Sequence, residues 1–153
     1  GRPERESARL REEGYRQAIE AAGIEFDPGL VAMGEYRCDA SVHPALRLLQ
    51  LPDRPTAIFA ANDLSAIGVM RAAASMGLEV PKDLSVVGFD NIPESALTTP
   101  PLTTIDQFIH RLGYRAIRML LSLIEGKSRV ETRITLPTEL VVRQTTAPPP
   151  ARP

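Results

Sequence analysis

The sequence predicts an α/β fold built on a parallel, doubly wound sheet. Thr56–Ala60 is a short apolar run of the kind a buried parallel strand shows. Ile67, Met70 and Ala74 then recur at helical spacing, and Leu84–Phe89 forms a second apolar run. A right-handed crossover makes the two strands parallel. Both strands then finish on one edge of the sheet, the first at Asn62 and the second at Asp90. Open α/β sheets bind ligands at the carboxyl ends of their strands. Asn62 or Asp63 can cap the helix by accepting backbone N–H bonds. Gly77 supplies a left-handed residue to end it, and Pro81 prevents its return.

Before this unit, a helix is expected from about Pro3 to Ala22, stopped at Gly23. Pro and Glu in the first turn suit a helix start. Leu10, Tyr15, Ala18, Ile19 and Ala22 give it an apolar face. Leu30–Met33 is a short strand candidate, and a helix from about Val42 to Leu51 follows, with His43 near its start. Pro52 and Pro55 bound the linker into the central unit. After Asp90, the Pro- and Thr-rich segment Asn91–Thr104 reads as a loop. An amphipathic helix is expected from Asp106 to about Glu125, with Ile109, Leu112, Ala116, Met119, Leu120 and Leu123 as its stripe. Arg133–Leu136 and Glu139–Arg143 read as short strands around Pro137, and the tail from Ala147 as disordered or extended.

The stripe of the late helix is wide and must be buried somewhere, yet it follows the end of the obvious sheet. The first helix has no strand before it to cross from. Both features predict that the chain is part of a larger protein.

Charge and composition narrow the function classes. The 153 residues are 43% apolar, which suits one domain with a real core. Lys plus Arg number 18 against 19 Asp plus Glu, without the basic excess of a free-standing DNA-binding domain. The single Cys38 excludes an internal disulfide and suits a reducing compartment. No apolar run approaches the roughly 20 residues of a membrane span, and no signal peptide opens the chain. Enzyme motifs are missing: His43 and His110 lie on separate elements, and no GxSxG, P-loop or GxGxxG occurs. No cofactor or metal site is expected. Asp83 and Asp90 flank one strand without the marks of an acid/base pair, and Cys38 reads as a small buried apolar residue.

The stretch FAANDLSAIGVMRAAASMGLEVPKDLSVVGFDN, followed by PPLTTIDQ, resembles the effector-binding core of the lactose-repressor/galactose-repressor family of bacterial transcription regulators. SARLREEGYRQAIEAAG, the aromatic in GEY, and LPTELVVRQTT extend the resemblance from Gly1 to Thr146. It implies one incomplete lobe of a type I periplasmic-binding-protein-like fold. Residues 1–105 would form the second lobe without its opening strand. Residues 106–136 would cross to the first lobe, 137–146 would return, and 147–153 would be a disordered tail. The helix-turn-helix headpiece and most of the first lobe would lie outside the chain.

The resemblance also assigns residues. Asp90 would accept effector hydroxyls, a carboxylate being able to take two at once; capping the following loop is its other role. Asn62 would be the effector-binding amide, with helix capping as the alternative. Arg11 in RLREEGY would offer planar donors, against the role of a solvated helix arginine. Tyr36 would stack on the effector or join the core. Gln107 would reach the effector from the hinge, or cap, or stay exposed. Ile67, Met70, Arg71, Glu94 and Leu97 would build a homodimer interface, the alternatives being core packing for Ile67 and a solvated pair for Arg71 and Glu94. The implied effector is a sugar, sugar phosphate or nucleobase, and operator DNA would be met only through the headpiece. The expected setting is cytoplasmic, without membrane contact. A periplasmic sugar-binding protein of an uptake system is the alternative of the same fold.

Overall fold

The computed structural model describes residues 6–126 and 133–149. The order is α1 (Glu6–Ala21), α2 (Cys38–Leu49), β1 (Ala57–Phe59), α3 (Asp63–Ser75), β2 (Ser85–Asp90), β3 (Thr103–Asp106), α4 (Ile109–Ile124) and β4 (Glu139–Val141), with short 3₁₀ turns at Pro28–Leu30 and Pro93–Ala96. The sheet order is β1-β2-β3-β4. β1–β2 and β2–β3 are parallel, and β3–β4 is antiparallel. The sheet is therefore open and dominated by parallel pairing, with one antiparallel edge strand.

The central βαβ unit forms as its apolar pattern predicts. Ala57 pairs with Ser85 and Phe59 with Val87, and Ala60 N–H donates to the Val87 carbonyl at 2.8 Å. Alternation along β2 decides which face is covered. Leu84, Val86 and Gly88 are buried, whereas Ser85, Val87 and Phe89 are half-exposed. The buried face receives Ala66, Val69, Ala72 and Ala73 of α3, with Ala45 and Leu49 of α2 and Leu102 completing the core. Gly77, at φ +71°, closes α3 where a side chain would be strained.

Four expected boundaries are corrected. Leu30–Met33 is not a strand: the Asp27 carboxylate accepts the Gly29 N–H at 2.7 Å and winds Pro28–Leu30 into a 3₁₀ turn, after which the chain runs extended without a ladder partner. The second helix begins at Cys38 and not near Val42, and carries Pro44 within its first two turns. Thr103–Asp106 is a strand, so the late helix starts at Ile109 and not at Asp106. Its β-branched TTI run is held from both sides, by Val87–Asp90 and by Glu139–Val141. Arg133–Leu136 is irregular, and residues 127–132 and 150–153 lie outside the described residues.

α4 contributes no buried residue. Ile109, Leu112, Leu120 and Leu123 of its stripe are about half exposed, as are Ile117 and Leu121 beside them. α1 likewise buries nothing fully.

Candidate functional site

The register brings the β2 and β3 ends together, since Asp90 pairs with Asp106. Side chains then cross between the strands. The Gln107 Nε2 amide donates to Asp90 Oδ1 at 2.6 Å, and Asn91 Nδ2 donates to Asp106 Oδ2 at 2.9 Å. α1 brings Arg11 over this edge. Its Nη2 lies 3.8 Å from Asp90 Oδ1, its Nη1 donates to the Tyr36 hydroxyl at 3.4 Å, and its guanidinium carbon stands 4.1 Å from the Phe89 ring centroid. Both Asp90 contacts fall on Oδ1, and Oδ2 carries no partner among the described residues. A half-buried carboxylate oxygen beside a guanidinium, a phenol and an amide is suited to a ligand rich in hydroxyls.

Four of the five expected effector residues, Arg11, Tyr36, Asp90 and Gln107, thus meet in one group. Asn62 stands one step behind. It is 8% exposed, its Oδ1 accepts the Ser65 N–H at 3.0 Å as the cap of α3, and its Nδ2 donates to the Tyr36 carbonyl at 3.1 Å. Capping falls to Asn62, not to Asp63, and one amide hydrogen remains beyond those bonds. Gln107 is engaged by Asp90 and does not cap α4, whose first residue follows Phe108.

Asp63 has a different task. It is fully buried; its Oδ1 accepts the Thr104 hydroxyl at 2.5 Å and its Oδ2 accepts the Ile92 N–H at 2.9 Å. It therefore ties the start of α3 to β3 and to the turn after Asp90. Gly88 makes room for it, since a Cβ there would stand 2.2 Å from Asp63 Oδ1. Burial pushes the Asp63 carboxyl above the ordinary 3.8, against the lowering effect of Thr104, the Ile92 and Asn91 amides and Arg143. Burial also raises Asp90, opposed by the Arg11 charge, reinforced by Asp63 and opposed again by Gln107.

Backbone strain gathers at the same place. The non-glycine residues with positive φ among those described are Glu35, Tyr36, Asp90, Asn91 and Phe108. Asp90 stands at φ +116° and Tyr36 at +62°. Such conformations cost on the order of 1–3 kcal/mol each and gather where a ligand is clamped. Phe89 escapes identification from sequence, and Asp63 is marked there only as a possible helix cap. Strand alternation marks Phe89 as sharing a face with Val87, but only the structure lays Arg11 upon it.

The expected interface residues fall into two groups. Ile67 and Met70 are half-buried, and Met70 packs against the core. Arg71 and Glu94 are exposed, and Leu97 is 80% exposed. Among the described residues, a further cavity is lined by Arg9, Glu12, Glu13 and Arg16 of α1, none of which belongs to the site. Among the described residues, no group of three or more His, Cys, Asp or Glu side chains is placed to hold a metal ion, and no helix is long and apolar enough to cross a membrane.

The profile of the periplasmic binding protein-like domain matches residues 1–146. Among characterised relatives, the HTH-type transcriptional repressor PurR of Vibrio vulnificus is 37% identical over 145 residues, which span 95% of this chain and 43% of that repressor. The chain thus spans less than half the length of the curated relatives it matches. Among solved structures, a LacI-type transcription regulator from Bifidobacterium animalis superposes with a TM-score of 0.86 at 34% identity, over 95% of this chain and 53% of that one. The complex of the transcriptional regulator CelR with cellobiose superposes with a TM-score of 0.83 at 36% identity, over 88% of this chain and 41% of that one. The chain belongs to the periplasmic binding protein-like domain family, and its relatives and solved neighbours are LacI-type transcription regulators.

Proposed function

We propose that this chain is the effector-sensing and dimerisation part of a bacterial transcriptional repressor, acting in the cytoplasm on a sugar or sugar-like ligand. The observation that carries the proposal is the meeting of Arg11, Tyr36, Asp90 and Gln107 at strand ends whose backbone is left-handed. Asp90 Oδ2 accepts an effector hydroxyl, Arg11 and Gln107 donate, and Tyr36 offers a ring edge or hydroxyl. Asn62 contributes its remaining amide hydrogen and holds the Tyr36 turn. Cellobiose in CelR supports a polyol as ligand, while sugar phosphates and nucleobases stay among the compounds to test.

The division into a second lobe (1–105), a segment crossing to the first lobe (106–136), a return strand (137–146) and a tail is supported by the exposed stripe of α4. The effector sits between lobes and biases one arrangement over another by its differential affinity for the two. Ile67, Met70, Arg71, Glu94 and Leu97 form a two-fold patch, supported by the exposure of Leu97. Operator DNA is met through a headpiece outside these residues, and no enzymatic step is assigned. A periplasmic uptake role is disfavoured because the matching relatives are repressors.

A thermal-shift screen of mono- and disaccharides, sugar phosphates, nucleobases and nucleosides tests the proposal. A stabilising compound should lose its effect in Asp90→Ala and Arg11→Ala. Equal stabilisation of both variants rules out the site.

A further inference from the structure

Arg143 lies two residues beyond β4, 52 positions from the turn it touches. Its Nη2 donates to Asn91 Oδ1 at 2.7 Å. Its Nη1 donates to the Leu102 carbonyl at 2.6 Å and to Ser95 Oγ at 3.2 Å. Ser95 Oγ in turn donates to the Ile92 carbonyl at 2.7 Å. One guanidinium fork therefore grips the 3₁₀ turn, the base of β3 and the side chain of Asn91. The backbone of the same residue is pinned, as Arg143 N–H donates to Thr103 Oγ1 at 2.9 Å.

Asn91 passes the grip onward. It stands at φ +56°, next to Asp90 at +116°, and its other amide atom donates to Asp106. Asp106 Oδ1 accepts the Phe108 N–H at 2.6 Å, which fixes the turn carrying Gln107. Gln107 then closes the circuit on Asp90. The path Arg143–Asn91–Asp106 runs through hydrogen bonds, passes from Asp106 to Gln107 through the Phe108 N–H and the backbone of that turn, and closes on Asp90 by the Gln107 amide, so it joins the segment after β4 to the candidate carboxylate.

We infer that Arg143 is a positioning residue for the effector site: its fork holds Asn91, and through Asn91 it sets the Asp90 carboxylate and the Gln107 amide. Its value for sensing rests on the function proposed above. A movement of the segment after β4 would reorient Asp90 and Gln107 together, and an effector pulling on those two would bias that segment. Lysine cannot substitute, because a single ammonium lacks the planar fork needed to hold Asn91 and Leu102 at once.

The test needs no ligand, so it remains decisive whatever the compound screen returns. Side-chain amide NMR signals of Gln107 and Asn91, and backbone hydrogen exchange, are compared in the full chain and in Arg143→Gln, Arg143→Lys and Asn91→Gly. Glycine keeps the left-handed backbone at 91 and removes only the relay. In all three variants the Gln107 amide signals should shift. Ile92 N–H exchange should quicken at least about tenfold in the two Arg143 variants, while Val86 and Ala66 of the core keep their protection. An unchanged Gln107 signal in Asn91→Gly overturns the inference, even if Arg143→Gln fails to fold. Full rescue by Arg143→Lys overturns the requirement for the fork, and equal loss at Ile92 and Val86 reduces Arg143 to a general support of the fold.

Discussion

Asp63→Ala is the perturbation with the best-defined cost. The carboxylate is sealed from solvent and accepts two hydrogen bonds, from the Thr104 hydroxyl and the Ile92 N–H. Hydrogen bonds to a charged group contribute about 1.5–3 kcal/mol each. Removing both forfeits about 3–6 kcal/mol, offset by relief of the desolvation that raises the Asp63 carboxyl. The net loss expected is about 3 kcal/mol. Asp63→Asn keeps an oxygen for the Ile92 N–H and presents an NH₂ group to the Thr104 oxygen, so its loss should stay near 1 kcal/mol. Urea unfolding followed by circular dichroism measures both. With a slope of about 1–3 kcal/mol per molar, the alanine midpoint should fall by about 1–3 M. A loss under about 1 kcal/mol for alanine, or equal losses for both variants, refutes the tethering role.

The remaining predictions concern pH, packing and association. Asp63 and Asp90 are both raised above 3.8, so the folded state binds their protons more tightly than the unfolded chain. Their contribution is fully present below the unfolded value and fades as pH rises through the folded one. The advantage of the native protein over Asp63→Asn should therefore grow from pH 7 toward pH 4 in the same urea assay, and a shrinking advantage refutes the sign. Gly88→Ala places a Cβ 2.2 Å from Asp63 Oδ1 and 3.0 Å from Leu102 Cδ2. Such overpacking costs about 1–3 kcal/mol and should quicken Ile92 N–H exchange before that of Val86. Replacing Leu112 and Leu123 of α4 by Glu should reduce sedimentation-detected self-association without lowering the melting temperature, because neither side chain is buried. A compact, stable monomer of the native chain would remove the premise.

The βαβ centre was legible because its signals are local: apolar runs, helical spacing, a capping residue at 62 or 63 and a glycine stop. That β1 and β2 run parallel and end on one edge followed from the helix that joins them. Thr103–Asp106 was hidden because a four-residue strand is defined by its neighbours, and both of these lie elsewhere in the chain. Leu30–Met33 failed for the converse reason, an apolar run with no ladder to join. Asn62 and Asp63 are adjacent and both able to cap; Thr104, 41 positions away, decides between them. Arg143 carries no local mark at all, since each of its side-chain acceptors comes from 41 or more positions earlier.

The ring of Phe89 is already covered. The Arg11 guanidinium occupies the space above that ring at 4.1 Å, a contact that contributes about 0.5–2 kcal/mol. A flat heterocycle competing for the same surface has to lift the cation away first. On the function proposed above, a polyhydroxylated ring would engage the guanidinium from its rim and leave the stacked pair standing.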